Sequence, residues 1–310
     1  MSRERLKIPK VSVVVPTWNG LKLLEKSLPA ISKINYPDYE VIVVDGGSTD
    51  GTQEYVHKKF PDFRLVELPK NLGIAGNMNA AIPYVKGEYV CFLDNDLTIN
   101  SEYIKKIVKC LQKNQRVGMI GGHIREKERT YSSGFFGKYA EFRMKQHVGE
   151  AFYITGVCMA FRTSALKQIG GFDSNFKMGC DDVDAAIRLR HKGWRILAIP
   201  DILGYHLGSS TGRRFGMKRF YYVLSGRLYM WFKDFSIETA LKLTLLHTMW
   251  HAKNFIVYVK KGKPSVGMSY ALNIAKAYLS LPQKAGLIIR ERKKIATRVP
   301  DSIFLEFRTY

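Results

Sequence analysis

The chain has 310 residues, 46% of them hydrophobic and 25% charged, a make-up that excludes a disordered or fibrous protein. Its net charge of +22 points to polyanionic partners such as acidic lipid, phosphorylated substrates or nucleic acid. The four cysteines, Cys91, Cys110, Cys158 and Cys180, form no CxxC pair, which argues against a zinc site and predicts free thiols in a reducing compartment.

The opening MSRERLKIPK is basic and lacks the apolar stretch of a signal peptide, so a cytoplasmic location is expected. Residues 11–15 (VSVVV) form a short β-branched run, and residues 21–34 then space their apolar side chains as a helix does. A second strand is predicted at 41–44 and a helix at 52–60, followed by a strand at 63–68, a helix at 74–85 and a strand at 89–93. Uninterrupted apolar strands alternating with amphipathic helices predict an α/β fold with a mostly parallel, doubly wound sheet. Such sheets bind ligands beyond the carboxyl ends of their strands. Three polar clusters fall there: Pro16-Thr17-Trp18-Asn19, the turn from Asp45 to Gly51, and Asp94-Asn95-Asp96. Two short carboxylates after a rigid strand suit Mg²⁺ or Mn²⁺ held against the phosphates of a leaving nucleoside diphosphate.

Between residues 119 and 146 the pattern loosens and reads as an acceptor-side loop or a long surface connection. Residues 151–161 regain strand character, 164–169 a short helix, 181–192 a longer one, and 194–199 a final strand. Composition then shifts. Residues 1–212 carry 30 Lys+Arg against 22 Asp+Glu, whereas residues 213–310 carry 19 against 5. The predicted division is a catalytic domain over 1–212 and a helical, basic, aromatic region over 213–310. Residues 241–259 approach membrane-spanning length but contain Lys242, His247, His251, Lys253 and Asn254. A mid-span lysine costs about 2.5–3.5 kcal/mol on insertion scales, so a helix buried in the protein or lying in a membrane interface is expected.

Six stretches, VSVVVPTWNG, EVIVVDGGSTDGT, NLGIAGNMNAAI, GEYVCFLDNDL, TGVCMAFRTSALKQIGGFD and DDVDAAIRLRHKGWRI, occur in an order and spacing that resemble the glycosyltransferase family 2 enzymes. That family consists of inverting transferases with the GT-A nucleotide-sugar fold, and the resemblance covers about residues 10–210. It implies that Pro16, Thr17 and Asn19 border the nucleotide, that Asp45 contacts the base, and that Asp94 lies near the ribose. Asp96 is implied as the principal metal ligand, with His206 joining it near the diphosphate. The acidic pair at the start of a helix supplies the family's general base. Here it is Asp181-Asp182, where the family more often has Glu-Asp, and Asp182 is the implied base. The resemblance implies a divalent metal, Mg or Mn, a UDP-, TDP- or GDP-sugar donor, and a glycan or polyprenyl-linked acceptor.

No GlnxxArgTrp signature of processive synthases is present, so one sugar per encounter is expected. Glucose, galactose, mannose, N-acetylhexosamine and rhamnose donors stay open, a rhamnosyltransferase-like subgroup among them. The basic final third predicts attachment to an anionic membrane surface at the cytoplasmic face. Two other readings are weaker. A sugar-phosphate nucleotidyltransferase would carry a glycine-rich basic loop after its first strand, where this chain has PTWNG. A non-catalytic polyanion-binding protein would bind nucleic acid through phosphate contacts, but no nucleic-acid motif supports it, and none is expected as a partner.

Overall fold

The computed structural model describes residues 8–208, 210–262, 264–295 and 298–307. The first part of the chain gives β1 (Val11–Thr17), α1 (Leu21–Ile31), β2 (Tyr39–Asp45), α2 (Thr52–Lys59), β3 (Arg64–Glu67), α3 (Ile74–Ala81), β4 (Tyr89–Leu93), β5 (Leu97–Ile99) and α4 (Tyr103–Lys113). There follow β6 (Val117–Glu126), β7 (Arg129–Tyr131), β8 (Ser133–Phe136), β9 (Phe142–Lys145), β10 (Gly149–Glu150), β11 (Tyr153–Ile154), β12 (Cys158–Arg162), α5 (Thr163–Gln168), α6 (Asp181–His191) and β13 (Arg195–His206). The C-terminal helices are α7 (Ser210–Asp234), α8 (Ile237–Lys260), α9 (Pro264–Gln283), α10 (Ala285–Lys293) and α11 (Ser302–Leu305).

The main sheet runs β10-β13-β6-β12-β4-β1-β2-β3. β1, β2, β3 and β4 are mutually parallel, as the apolar strand runs predict, while β12 lies antiparallel between β4 and β6. Alternate residues of β1 feed two cores. Val13 and Val15 face Leu24, Leu28 and Ile31 of α1 and Ile104, Ile107 and Leu111 of α4, and Val14 faces Ala75 and Met78 of α3. The i, i+4, i+7 spacing of the α1 trio and the matching stripe on α4 explain why these segments are helices that lie on the sheet.

Three expectations are corrected. The segment 119–146 is a set of strands, and β6 is a buried one between β12 and β13. Its glycines hid the strand in the sequence, yet close neighbours require them. A Cβ on Gly121 would stand 2.3 Å from Ile154, and one on Gly122 would stand 2.7 Å from the carbonyl oxygen of Asp201. The apolar stretch 151–161 is two strands, β11 and β12, in different sheets. The last strand does not stop at Ile199, because β13 continues to His206 and pairs with β5.

The C-terminal helices cover the same sheet face as α3 and α6. Leu228, Trp231, Phe235 and Phe304 belong to the same buried cluster as Val14, Phe92 and Ile187. Position 212, the predicted boundary, falls inside α7. Truncating a buried residue such as Trp231 to alanine would cost about 3–5 kcal/mol.

Candidate active site

The sheet order β4-β1-β2-β3 makes the gap between β1 and β4 the point where successive connections turn opposite ways. β1 leaves β4 after Val14 but stays paired with β2 through Thr17 and Asp45. The strand ends splay there, and loops from both meet over the crevice. Asn95 Nδ2 donates to Thr17 Oγ1 at 2.8 Å, tying the Asp94–Asp96 turn to the end of β1. Asn19 adopts a left-handed conformation (φ 47°), and its Oδ1 accepts from Thr49 N at 2.8 Å. Asp45 is fully buried; its carboxylate accepts from Ser48 N at 2.9 Å, from Gln53 Nε2 at 2.7 Å, and from the Ser48 hydroxyl. Asp45 thus organises the DGGSTDG turn. Pro16, Thr17, Asn19 and Asp45 form one wall.

The opposite wall is acidic. One ligand atom each from Asp94, Asp96 and His206 lie within 4.8 Å of one another. His206 reaches this cluster because β13 runs on past its apolar core and pairs with β5 through Gly204, Tyr205 and His206. Its Nε2 is 3.1 Å from Asp96 Oδ1, and its Nδ1 is 3.1 Å from Glu126 Oε2. Tyr131 OH donates to the same Glu126 oxygen at 3.0 Å. Burial alone would lower the imidazole, but hydrogen bonding to Asp96 and then the charges around it outweigh that and hold it up at about 9. Burial first, and then the charge of Asp96, push Asp94 up to about 7. Oxygen donors with one imidazole, whose other nitrogen is held by a carboxylate, fit a divalent cation that displaces the Nε2 proton.

Beside this cluster stands the acidic pair. Cys180, left-handed at φ 69°, precedes α6, and Asp181, Asp182 and Asp184 fill the first turn, where the helix dipole favours negative charge. Asp182 departs from a mere cap: its Oδ2 accepts from Gly156 N at 2.9 Å and its Oδ1 from Val183 N at 2.8 Å. The next residue, Val157, accepts from Asp94 N at 3.0 Å. One turn between β11 and β12 therefore holds both the Asp94–Asp96 turn and Asp182. Burial raises Asp182 to about 6, the backbone donors opposing it, and raises Asp181 well above the usual range with help from Asp182's charge.

The structure brings every sequence-predicted site residue to this crevice and adds several. Asp94 joins Asp96 and His206. Glu126 and Tyr131, which orient His206, lay in the segment read as a loop and carried no motif. Asn95, without a role in the sequence reading, is the tie to Thr17. Arg188 and Arg190 pair with Asp184 at 2.7 Å and Glu150 at 3.1 Å rather than with Asp181 or Asp182.

The model of the family described as "Glycosyl transferase family 2" matches residues 12–170, which is half of the chain. The chain belongs to glycosyl transferase family 2. Among its family 2 relatives, a poly-beta-1,6-N-acetyl-D-glucosamine synthase of Staphylococcus epidermidis is 28% identical over 220 residues, covering 67% of this chain and 52% of the relative. The chain thus spans about half the length of that relative. An N-acetylglucosaminyl-diphospho-decaprenol L-rhamnosyltransferase of Mycobacterium tuberculosis is 26% identical over 239 residues, covering 65% of this chain and 77% of the relative. The fold is that of Staphylococcus aureus TarS 1-349 in complex with UDP-GlcNAc, with a TM-score of 0.63 at 19% identity over 90% of this chain and 83% of that one. It is also that of the mannosyltransferase PcManGT from Pyrobaculum calidifontis in complex with GDP-Man and Mn²⁺, with a TM-score of 0.54 at 21% identity over 94% and 86% of the two chains.

Proposed function

We propose that this family 2 protein is an inverting, metal-dependent glycosyltransferase that moves a sugar from a nucleoside-diphosphate donor to a hydroxyl of a glycan or lipid-linked acceptor. The observation that carries this reading is the single turn at Gly156 and Val157. It sets a carboxylate with a raised proton affinity beside a cluster of cation-binding donors. The nucleotide would lie along Pro16, Thr17, Asn19 and Asp45, with Asp94, Asp96 and His206 holding Mg²⁺ or Mn²⁺. When bound, such an ion neutralises the charge that develops on the departing diphosphate.

Asp182 is the base. Two backbone N–H groups fix both of its oxygens, so its orientation is set before substrate arrives. Near neutral pH a carboxylate at about 6 is ionised yet basic enough to accept a proton. Asp181 beside it is also raised, by burial and by the charge of Asp182. Asp182 takes the acceptor's hydroxyl proton as that oxygen bonds to the anomeric carbon, and the bond to the diphosphate breaks on the opposite face, inverting the centre.

The acceptor reading rests on the chain's outward surface and on the decaprenol-linked acceptor in the name of the mycobacterial relative. Helix α8 buries Ala240, Leu243, His247 and His251 and turns a second apolar stripe to solvent. Leu241, Leu245 and Met249 on that stripe are 56%, 64% and 52% exposed. Lys242, Lys253 and Lys260, also exposed, flank it. Among the described residues no helix is long and apolar enough to cross a membrane. An apolar stripe bordered by lysines suits the interface of an anionic bilayer, and attachment to the cytoplasmic face would bring Asp182 to a polyprenyl-linked acceptor.

Titration with UDP, TDP and GDP in the presence of Mn²⁺, followed by hydrolysis of a nucleotide-sugar panel, tests the core of this reading. Binding of one nucleotide that is lost with EDTA is the expected result. Absence of binding by all three would overturn it.

A further inference from the structure

We infer that Arg227 is a binding site for an anionic group of the acceptor, a phosphate or diphosphate ester; the inference rests on the reading of Asp182 as the base that faces the acceptor. Helix α7 crosses the start of α6 at this point. The Cys180 thiol lies 3.7 Å from the carbonyl oxygen of Val223, and a Cβ on Gly226 would stand 3.2 Å from the ring of Phe176. Arg227 is one residue further along α7, and the Tyr153 hydroxyl lies within electrostatic reach of both Arg227 and Asp182.

The guanidinium is held but not neutralised. Its central carbon sits 4.4 Å from the centroid of the Phe142 ring. Nη1 is 2.8 Å from His247 Nε2, and His247 Nδ1 is 3.2 Å from the carbonyl oxygen of Tyr139. Those partners fix the neutral tautomer with its proton on Nδ1, so Nε2 accepts from Arg227. Burial, then the charge of Arg227, lower His247 to about 2, which leaves it no countercharge and no proton to spare. The buried Nε of Arg227 has no partner. Among the described residues no carboxylate lies within ion-pair distance of it. Glu141 is held by Arg143 at 2.5 Å and by Tyr139 N at 2.9 Å, and both oxygens of Asp182 are held by backbone N–H groups.

The two arginines of α6 behave differently. Arg188 pairs with Asp184 at 2.7 Å and Arg190 with Glu150 at 3.1 Å. A desolvated cation whose partners are all neutral destabilises the free protein, and an arriving anion relieves that cost. Arg227 as a whole is half-buried while its Nε is shut off from solvent, so an anion would have to meet the Nη edge of the guanidinium. A planar fork matches the oxygens of a phosphate ester, and the Phe142 ring and the His247 bond hold it in place beforehand. Donor diphosphate and acceptor phosphate share this chemistry, and their separation is a matter for the test.

The full chain is titrated by calorimetry with inorganic pyrophosphate while Mn²⁺ and the nucleotide that binds best saturate the donor site. Arg227→Met is expected to weaken pyrophosphate at least tenfold, with nucleotide affinity unchanged. Arg227→Lys is expected to weaken it at least threefold, since a lysine keeps the charge and loses the fork. Should Arg227→Met fail to fold, judged by circular dichroism, Arg227→Lys carries the comparison. Equal pyrophosphate affinity in the folded variant and the parent overturns the inference, as does a parent that binds no pyrophosphate. A parallel loss of nucleotide affinity also overturns it, because the anion is then the donor's diphosphate. If no nucleotide binds the parent, the donor reading has failed separately, and the same pyrophosphate titration on nucleotide-free protein still decides the role of Arg227.

Discussion

His206 Nε2 lies 3.1 Å from Asp96 Oδ1, so the end of β13 and the turn after β4 meet in one cluster. Asp96→Ala should therefore abolish Mn²⁺-dependent nucleotide binding while leaving the far-ultraviolet circular dichroism unchanged. Unaltered affinity would remove Asp96 from the metal site. Glu126→Gln keeps the shape but loses the charge that orients His206, and a 10–100-fold fall in metal affinity is expected of such a supporting partner.

Asp182 gives two outcomes that point in opposite directions. Transfer by the parent should fall about tenfold for each pH unit below about 6, because the base is lost as it takes up a proton. An acid whose folded pKa is raised binds its proton more tightly in the folded state, so its ionised form costs stability above that pKa. Asp182→Asn should remove transfer at all pH values, retain nucleotide binding, and remove this pH-dependent cost between about pH 4 and pH 7, while its amide keeps only one of the two backbone bonds. A dead Asp181→Asn beside an active Asp182→Asn would move the base to Asp181.

Lys233 fastens α7 to the catalytic half. Its buried Nζ donates to Asp173 at 2.8 Å and to Asp184, and Tyr229 OH donates to the same Asp173 oxygen at 2.7 Å. Burial would raise Asp173, but the Lys233 charge outweighs it and holds the carboxyl well below the usual range. Lys233→Met leaves Asp173 and Asp184 buried without that cation and should cost about 3–5 kcal/mol. Urea denaturation reads the change, and a loss below about 1 kcal/mol would show that apolar packing alone pins α7.

The outward stripe of α8 can be altered without touching the core. Leu241→Ser with Leu245→Ser should leave the melting temperature and nucleotide binding unchanged. Flotation with vesicles of phosphatidylglycerol and phosphatidylcholine should drop at least fivefold, and binding by the parent should weaken in high salt, since the lysine contribution is screened. If the parent floats equally with neutral vesicles, or the double variant floats like the parent, the α8 surface is not the membrane contact.

The parallel half of the sheet was readable because β1, β2 and β4 are continuous apolar runs, each ending in a polar cluster. Asp94, Asp96 and Asp182 stood out for the same reason, at strand ends or at a helix start. The strands around Gly121 and Gly122 were not readable, because glycine erases the apolar signal and its need there comes from Ile154 and Asp201, distant in sequence. Glu126 and Tyr131 were missed with them. Helix 241–259 was read correctly as unsuited to spanning, since its histidines and lysines are visible in the sequence. Which side of it faces the protein was not visible, because both sides carry apolar residues.

By itself the sequence determined the alternation of strands and helices, the strand-end carboxylates, the acidic pair and the basic final third. Those are local properties, fixed by periodicity, composition and spacing. Tertiary structure alone decided that β13 carries His206 to Asp96, that one turn at Gly156 and Val157 holds both the Asp94–Asp96 turn and Asp182, and that Arg227 is left without a countercharge. Each depends on long-range packing that brings groups together and strips them of water. No window along the chain contains both partners.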